Sequence, residues 1–224
     1  MSKVRDRLAL KHLESIVAAD IPGYETKIKD QNKWHLRFAK IFKKSWLLTA
    51  TTLFPRMWYP TKELYEAQPR DVMRTLQHEW VHLKDANTFW GKMPRALKWL
   101  NVSMWYALYF MPQLAAVLAL IAPIAVLSGA PQIWWMFLLF LLLTLPIPAY
   151  FRMRAEVRGY QRSHELGVDS SRIVEQFTGR LYYFMWPFKK YILKELKKPS
   201  PYKHEMDEAV VKAYLLAAEE LNNG

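Results

Sequence analysis

The chain has 224 residues, no cysteine, and 32 Lys+Arg against 20 Asp+Glu, a formal charge of +12. The missing cysteine excludes a disulfide scaffold, a Cys-ligated zinc site and a thiol nucleophile, and an aromatic content of 15% is too high for a disordered chain. The positive charge asks for an anionic partner, for which nucleic acid and an anionic membrane surface are the usual choices.

In chain order, apolar residues at Leu8, Leu10, Leu13, Ile16 and Val17 predict a helix over Arg5–Ala19, ended by Pro22-Gly23. Lys33–Lys44 is basic and amphipathic, with Trp34, Phe38, Ile41 and Phe42. Trp46–Tyr59 is rich in Thr, Leu and aromatics and is punctuated by Pro55 and Pro60, which suits an extended edge strand. Pro69 fits the first turn of a helix running to about Ala86. Further on, a helix is predicted over Arg152–Leu166, ended by Gly167. Asp169-Ser170-Ser171 caps another that runs through Phe177. Leu181–Lys198 interleaves aromatics with lysines and reads as an interfacial segment. A last helix is expected over Glu205–Leu221.

Two stretches stand apart. Met104–Leu127 and Ile133–Ala149 contain no charged side chain, and each is near or above the roughly 17–25 residues that cross a bilayer. The turn sequence Ser128–Gln132 joins them, so the pair reads as a transmembrane helical hairpin. Lys92, Arg95 and Lys98 precede it, Arg152, Arg154 and Arg158 follow it, and the turn is uncharged. The positive-inside rule then places both flanks and both termini in the cytoplasm and the turn outside. The N-terminal segment lacks the apolar run of a cleavable signal. Because the basic residues flank the hairpin, lipid attraction accounts for them, and the expected partner is the anionic cytoplasmic leaflet and not nucleic acid.

His78-Glu79-Trp80-Val81-His82 is an HExxH motif inside the helix predicted from Pro69. Residues four apart project from one helix face, so His78 and His82 can reach one tetrahedral metal. Glu79 lies about 100° round the helix, where it can touch a water at the metal without being a ligand. The motif therefore predicts His78 and His82 as ligands and Glu79 as catalytic base, with Zn2+ favoured over iron because the Glu serves as proton shuttle. Asp85, Glu156, His164 and Glu165 are the candidates for a third ligand. Asp85 shares the helix and suits orientation of a His instead. Glu156 follows the hairpin on a new helix, and a two-span hairpin returns the chain to the side it left, so Glu156 is the preferred ligand. Tyr160, four residues on, shares its face and is a candidate to hydrogen-bond the substrate oxyanion or to pack as a core aromatic.

The order HExxH, hairpin, Glu in an Arg-rich helix start (Arg154-Ala155-Glu156) resembles the HtpX-type and CAAX-prenyl-type membrane zinc peptidases over about Pro69 to Gly167, as a compact viral or bacterial gluzincin. In that family an Asp stands four residues after the Glu ligand, where this chain has Tyr160. The resemblance implies a protein or peptide substrate and the ligand set His78, His82 and Glu156. The expected fold is mainly α with a small edge strand or sheet. A zincin-like helical core over 1–100 and 152–224 is interrupted by the hairpin, 104–151. The competing function is a non-enzymatic hairpin protein, an anchor or holin-like element, with a vestigial or structural metal site.

Overall fold

The computed structural model describes residues 2–42, 49–89, 91, 94, 97–128, 146–179 and 186–223. The described chain divides into two units, residues 1–87 with 199–224, and residues 88–198. It is mainly helical with one three-stranded sheet.

The first unit opens with α1 (Ser2–Asp20), whose Ala9, Leu10, Leu13 and Val17 form one buried stripe at helical spacing. The C-terminal helix α9 (Lys203–Asn223) answers with Met206, Ala209, Ala213 and Ala217, all buried. Alanine at every fourth position leaves a shallow groove for the larger side chains of α1. Gly23 takes φ +79, a left-handed turn that a Cβ would strain, and redirects the chain into β1 (Glu25–Ile28). A 3-10 turn at Lys29–Gln31 and the amphipathic α2 (Lys33–Phe42) follow.

The segment expected as one edge strand is a hairpin, β2 (Thr51–Leu53) and β3 (Arg56–Tyr59). The reason is Pro55, which has no amide hydrogen for a ladder and sits in the turn between them. The sheet order is β1-β3-β2, with β1 parallel and β2 antiparallel to β3, so β2 is an edge. Beneath the sheet, the half-buried Glu14 of α1 accepts hydrogen bonds from Thr26 and from Tyr65, both at 2.7 Å. Burial pushes its carboxyl above the usual range. These bonds tie β1 and the short α3 (Lys62–Ala67, capped by the Thr61 hydroxyl) to α1.

Helix α4 (Pro69–Thr88) begins on Pro69 as expected and completes this unit. Val72, Met73, Leu76, Trp80 and Leu83 enter the same core as α1, β3 and α9. Its last turns are held to the end of α1 and the start of α9: Lys84 bridges Asp20 of α1 (3.2 Å) and Glu205 of α9 (2.5 Å), and Tyr202, just before α9, donates to Asp85 Oδ1 at 2.9 Å.

In the second unit α5 (Lys98–Leu127) is a 30-residue helix and α6 (Pro146–Glu165) starts six residues before the predicted Arg152. Gly167 at φ +88 ends α6, with Val168 N–H returning to Ser163 O at 3.1 Å, the Schellman closure. Asp169 caps α7 (Ser170–Thr178) and Lys189–Leu196 form α8. Met153, Val157, Ile173, Phe177, Ile192 and Leu196 make the core. The turn and second arm of the expected hairpin, 129–145, lie outside the described residues, as do 180–185. Among the described residues no helix is long and apolar enough to cross a membrane.

Candidate metal centre

One turn of α4 separates His78 from His82, and the helix carries both rings to one side. Both are buried, 9% and 5% exposed. Their Nε2 atoms face each other at 3.2 Å and the rings meet at 73°. Two ligands 2.0–2.1 Å from a tetrahedral zinc are separated by about 3.3 Å, so the two nitrogens already stand at the edge length of such a site. The donor set fits the metal expected from the sequence.

Glu79 projects from the adjacent position and is half-buried. The Thr52 hydroxyl, on edge strand β2, donates to Glu79 Oε2 at 2.5 Å and fixes the carboxylate against rotation. The neighbouring Thr51 is held in turn by Lys29. That lysine is completely buried; its Nζ donates to Thr51 Oγ1 at 2.6 Å and to the Thr49 carbonyl at 2.7 Å. Burial lowers the Lys29 amine to about 8, while the Glu79 carboxylate opposes the shift. An ammonium, two threonines and the motif glutamate thus form one polar array along β2. Nothing in the sequence spacing marks Lys29, which lies fifty residues before Glu79 in a lysine-rich stretch.

In the second unit Glu156 is buried, 3% exposed, on α6. The Tyr109 hydroxyl of α5 donates to Glu156 Oε1 in a short hydrogen bond. Tyr109 is itself held between Trp105, stacked at 4.9 Å and 16°, and the Arg152 guanidinium 5.1 Å over its ring. The sequence places Tyr109 among interfacial aromatics and gives no sign of this contact, which spans 47 residues. Arg154, the other arginine able to neutralise Glu156 locally, pairs with the buried Glu195 at 2.9 Å.

His78, His82 and Glu156 are each buried, and each offers a side-chain atom that can ligate a metal ion. The other candidate ligands are engaged elsewhere. Asp85 accepts from Tyr202, His164 Nδ1 lies 3.1 Å from the Val168 carbonyl, and Glu165 pairs with the buried Arg162 at 3.1 Å. Tyr160 packs its ring against Phe177, centroids 5.5 Å apart. No family model, curated protein or solved structure matches the chain.

Proposed function

We propose that the chain is a membrane-anchored zinc endopeptidase that hydrolyses peptide bonds at the cytoplasmic face. His78 and His82 would supply two nitrogens from α4, and Glu156 would be the third ligand, as the sequence order implies. The observation that carries the reading is the pair of buried Nε2 atoms facing each other at 3.2 Å beside a half-buried glutamate. A hydrolytic site needs a carboxylate beside its metal ligands to take the proton from water, and Glu79 stands next to His78 on the same helix.

Zinc, when bound, would lower the pKa of a water and polarise the scissile carbonyl. Glu79 would take the proton from the attacking water and return it to the leaving amine. The Thr52 hydroxyl hydrogen-bonds the carboxylate and restrains its rotation. Tyr109 fixes the orientation of Glu156, the outer-sphere contact that ligating carboxylates commonly have. Tyr160 remains the proposed donor to the substrate oxyanion.

The anchor is the hairpin 104–151. Its support is in the sequence: Met104–Leu127 and Ile133–Ala149 are uncharged and each is near or above the roughly 17–25 residues that cross a bilayer. In this reading both termini are cytoplasmic, with the Ser128–Gln132 turn outside.

Elemental analysis of the detergent-purified chain tests the centre. Wild type should carry one zinc; His78→Ala and His82→Ala should lose it while keeping their helical circular dichroism. Glu79→Gln should retain zinc and lose peptide hydrolysis, because Gln takes no proton from water. Undiminished metal in folded His82→Ala would overturn the ligand set, and an active Glu79→Gln would overturn the peptidase mechanism alone.

A further inference from the structure

Helix α8 divides its side chains in a way that packing alone does not explain. Ile192, Glu195 and Leu196 are buried, while Lys189, Lys190, Leu193, Lys194 and Lys197 are exposed. The carboxylate within this helix, Glu195, is buried and is taken by Arg154 and by Lys198 at 2.9 and 2.6 Å. Among the described residues Lys189, Lys190, Lys194 and Lys197 have no acidic partner. Two large apolar side chains share this cationic face: Phe188, 58% exposed at the N-cap, and Leu193, 40% exposed. A merely solvated helix face needs the lysines and not the phenylalanine.

The aromatic contacts fix what this face adjoins. Trp186 packs on Phe188 (5.5 Å), Tyr191 (5.9 Å) and Tyr150 (5.7 Å). Tyr150 lies in the first turns of α6, directly after the uncharged run that begins at Ile133. From Pro146 to Tyr150 the helix rises about 6 Å, comparable to the roughly 5–7 Å headgroup layer on one side of a bilayer. The cluster therefore stands where interfacial aromatics collect.

We infer that the outer face of α8, Phe188 and Leu193 with Lys189, Lys190, Lys194 and Lys197, is a docking surface for the anionic lipid headgroups of the membrane. The inference rests on the membrane half of the proposed function and is independent of the metal. The two apolar side chains enter the acyl boundary and the lysines meet phosphate and carboxylate groups above it. Each lysine near an anionic surface contributes about fivefold to partitioning at moderate salt, so removing three should weaken docking about a hundredfold.

Because the chain has no cysteine, Leu193→Cys can carry a single polarity-sensitive fluorophore in the full-length protein. The labelled protein is reconstituted into liposomes of phosphatidylcholine alone or mixed with phosphatidylserine. The emission should shift to the blue in the anionic liposomes. The shift should vanish in about 1 M salt, where the Debye length is about 3 Å, and in the variant Lys189→Gln/Lys190→Gln/Lys194→Gln. Identical emission in both lipids, or a shift that survives the triple substitution, overturns the inference. Alkaline extraction of the same liposomes reads the spanning segments separately. If the protein is stripped while the lipid-dependent shift persists before extraction, the hairpin is refuted and the α8 surface stands.

Discussion

Replacing Lys29 with methionine should change the pH dependence of stability by an amount the burial already sets. The amine titrates at about 8 in the fold against 10.5 for the unreacted side chain, with burial as the main cause. A lysine whose folded value is depressed binds fewer protons folded than unfolded between those two values. Stability therefore rises with pH through this window, and the cost of burying the charge is fully present below pH 8. The gap of two and a half units corresponds to about 3 kcal/mol. The Lys29→Met variant lacks this contribution, although it leaves the Thr49 carbonyl and Thr51 hydroxyl without their donor and so loses a pH-independent increment. The measurement is urea unfolding of the first unit in detergent, followed by limited proteolysis, for both proteins between pH 7 and 10.5. Subtracting one curve from the other cancels tyrosines such as Tyr24, which burial pushes well above its ordinary value. The wild-type advantage should grow by about 3 kcal/mol across the window. A difference that stays flat with pH would mean that Lys29 keeps an ordinary amine pKa, and the polar array along β2 would then be solvated.

Tyr109→Phe removes the hydroxyl on Glu156 without altering the stacking on Trp105, and should weaken zinc affinity by about 10–100-fold in a chelator competition, with the fold retained. Ala213→Leu forces a larger side chain into the closed contact of α9 with α1 and should cost about 1–3 kcal/mol in urea unfolding; Leu215→Ala, on the exposed side of α9, should change it by less than about 0.5 kcal/mol. Proteolysis of inside-out vesicles should remove both terminal segments and spare a tag inserted between Ser128 and Gln132; protection of the N-terminal segment would contradict the proposed topology.

What the sequence made legible is what depends on local periodicity and end chemistry. Pro69 at the start of α4, Asp169 capping α7 and Gly167 closing α6 each act within a few residues, so their effect can be read without knowing the partner elements. The HExxH pair belongs to the same class, since the spacing of four is a property of one helix. The sheet was partly hidden for the opposite reason. Strand β1 has four residues, three of them polar, and owes its extended form to parallel pairing with β3 some thirty residues away. Pro55 signals a break, but a break at the end of one strand and a turn between two look alike until the register is known.

The surroundings of the motif glutamate follow from that hidden sheet. Thr52 meets Glu79 only because β2 pairs antiparallel with β3, with Thr52 opposite Met57. A slip of one residue would turn Thr52 to the other face and bring Thr51 or Leu53 to the carboxylate instead. Lys29 guards against that slip by clamping Thr49 and Thr51 together from inside the fold. An exposed lysine would do this poorly, because water would compete for both acceptors. Burial lowers the amine toward neutrality and also makes its two hydrogen bonds costly to break. The depressed lysine and the fixed glutamate are thus two consequences of one arrangement, a short edge strand whose register is set by a buried cation.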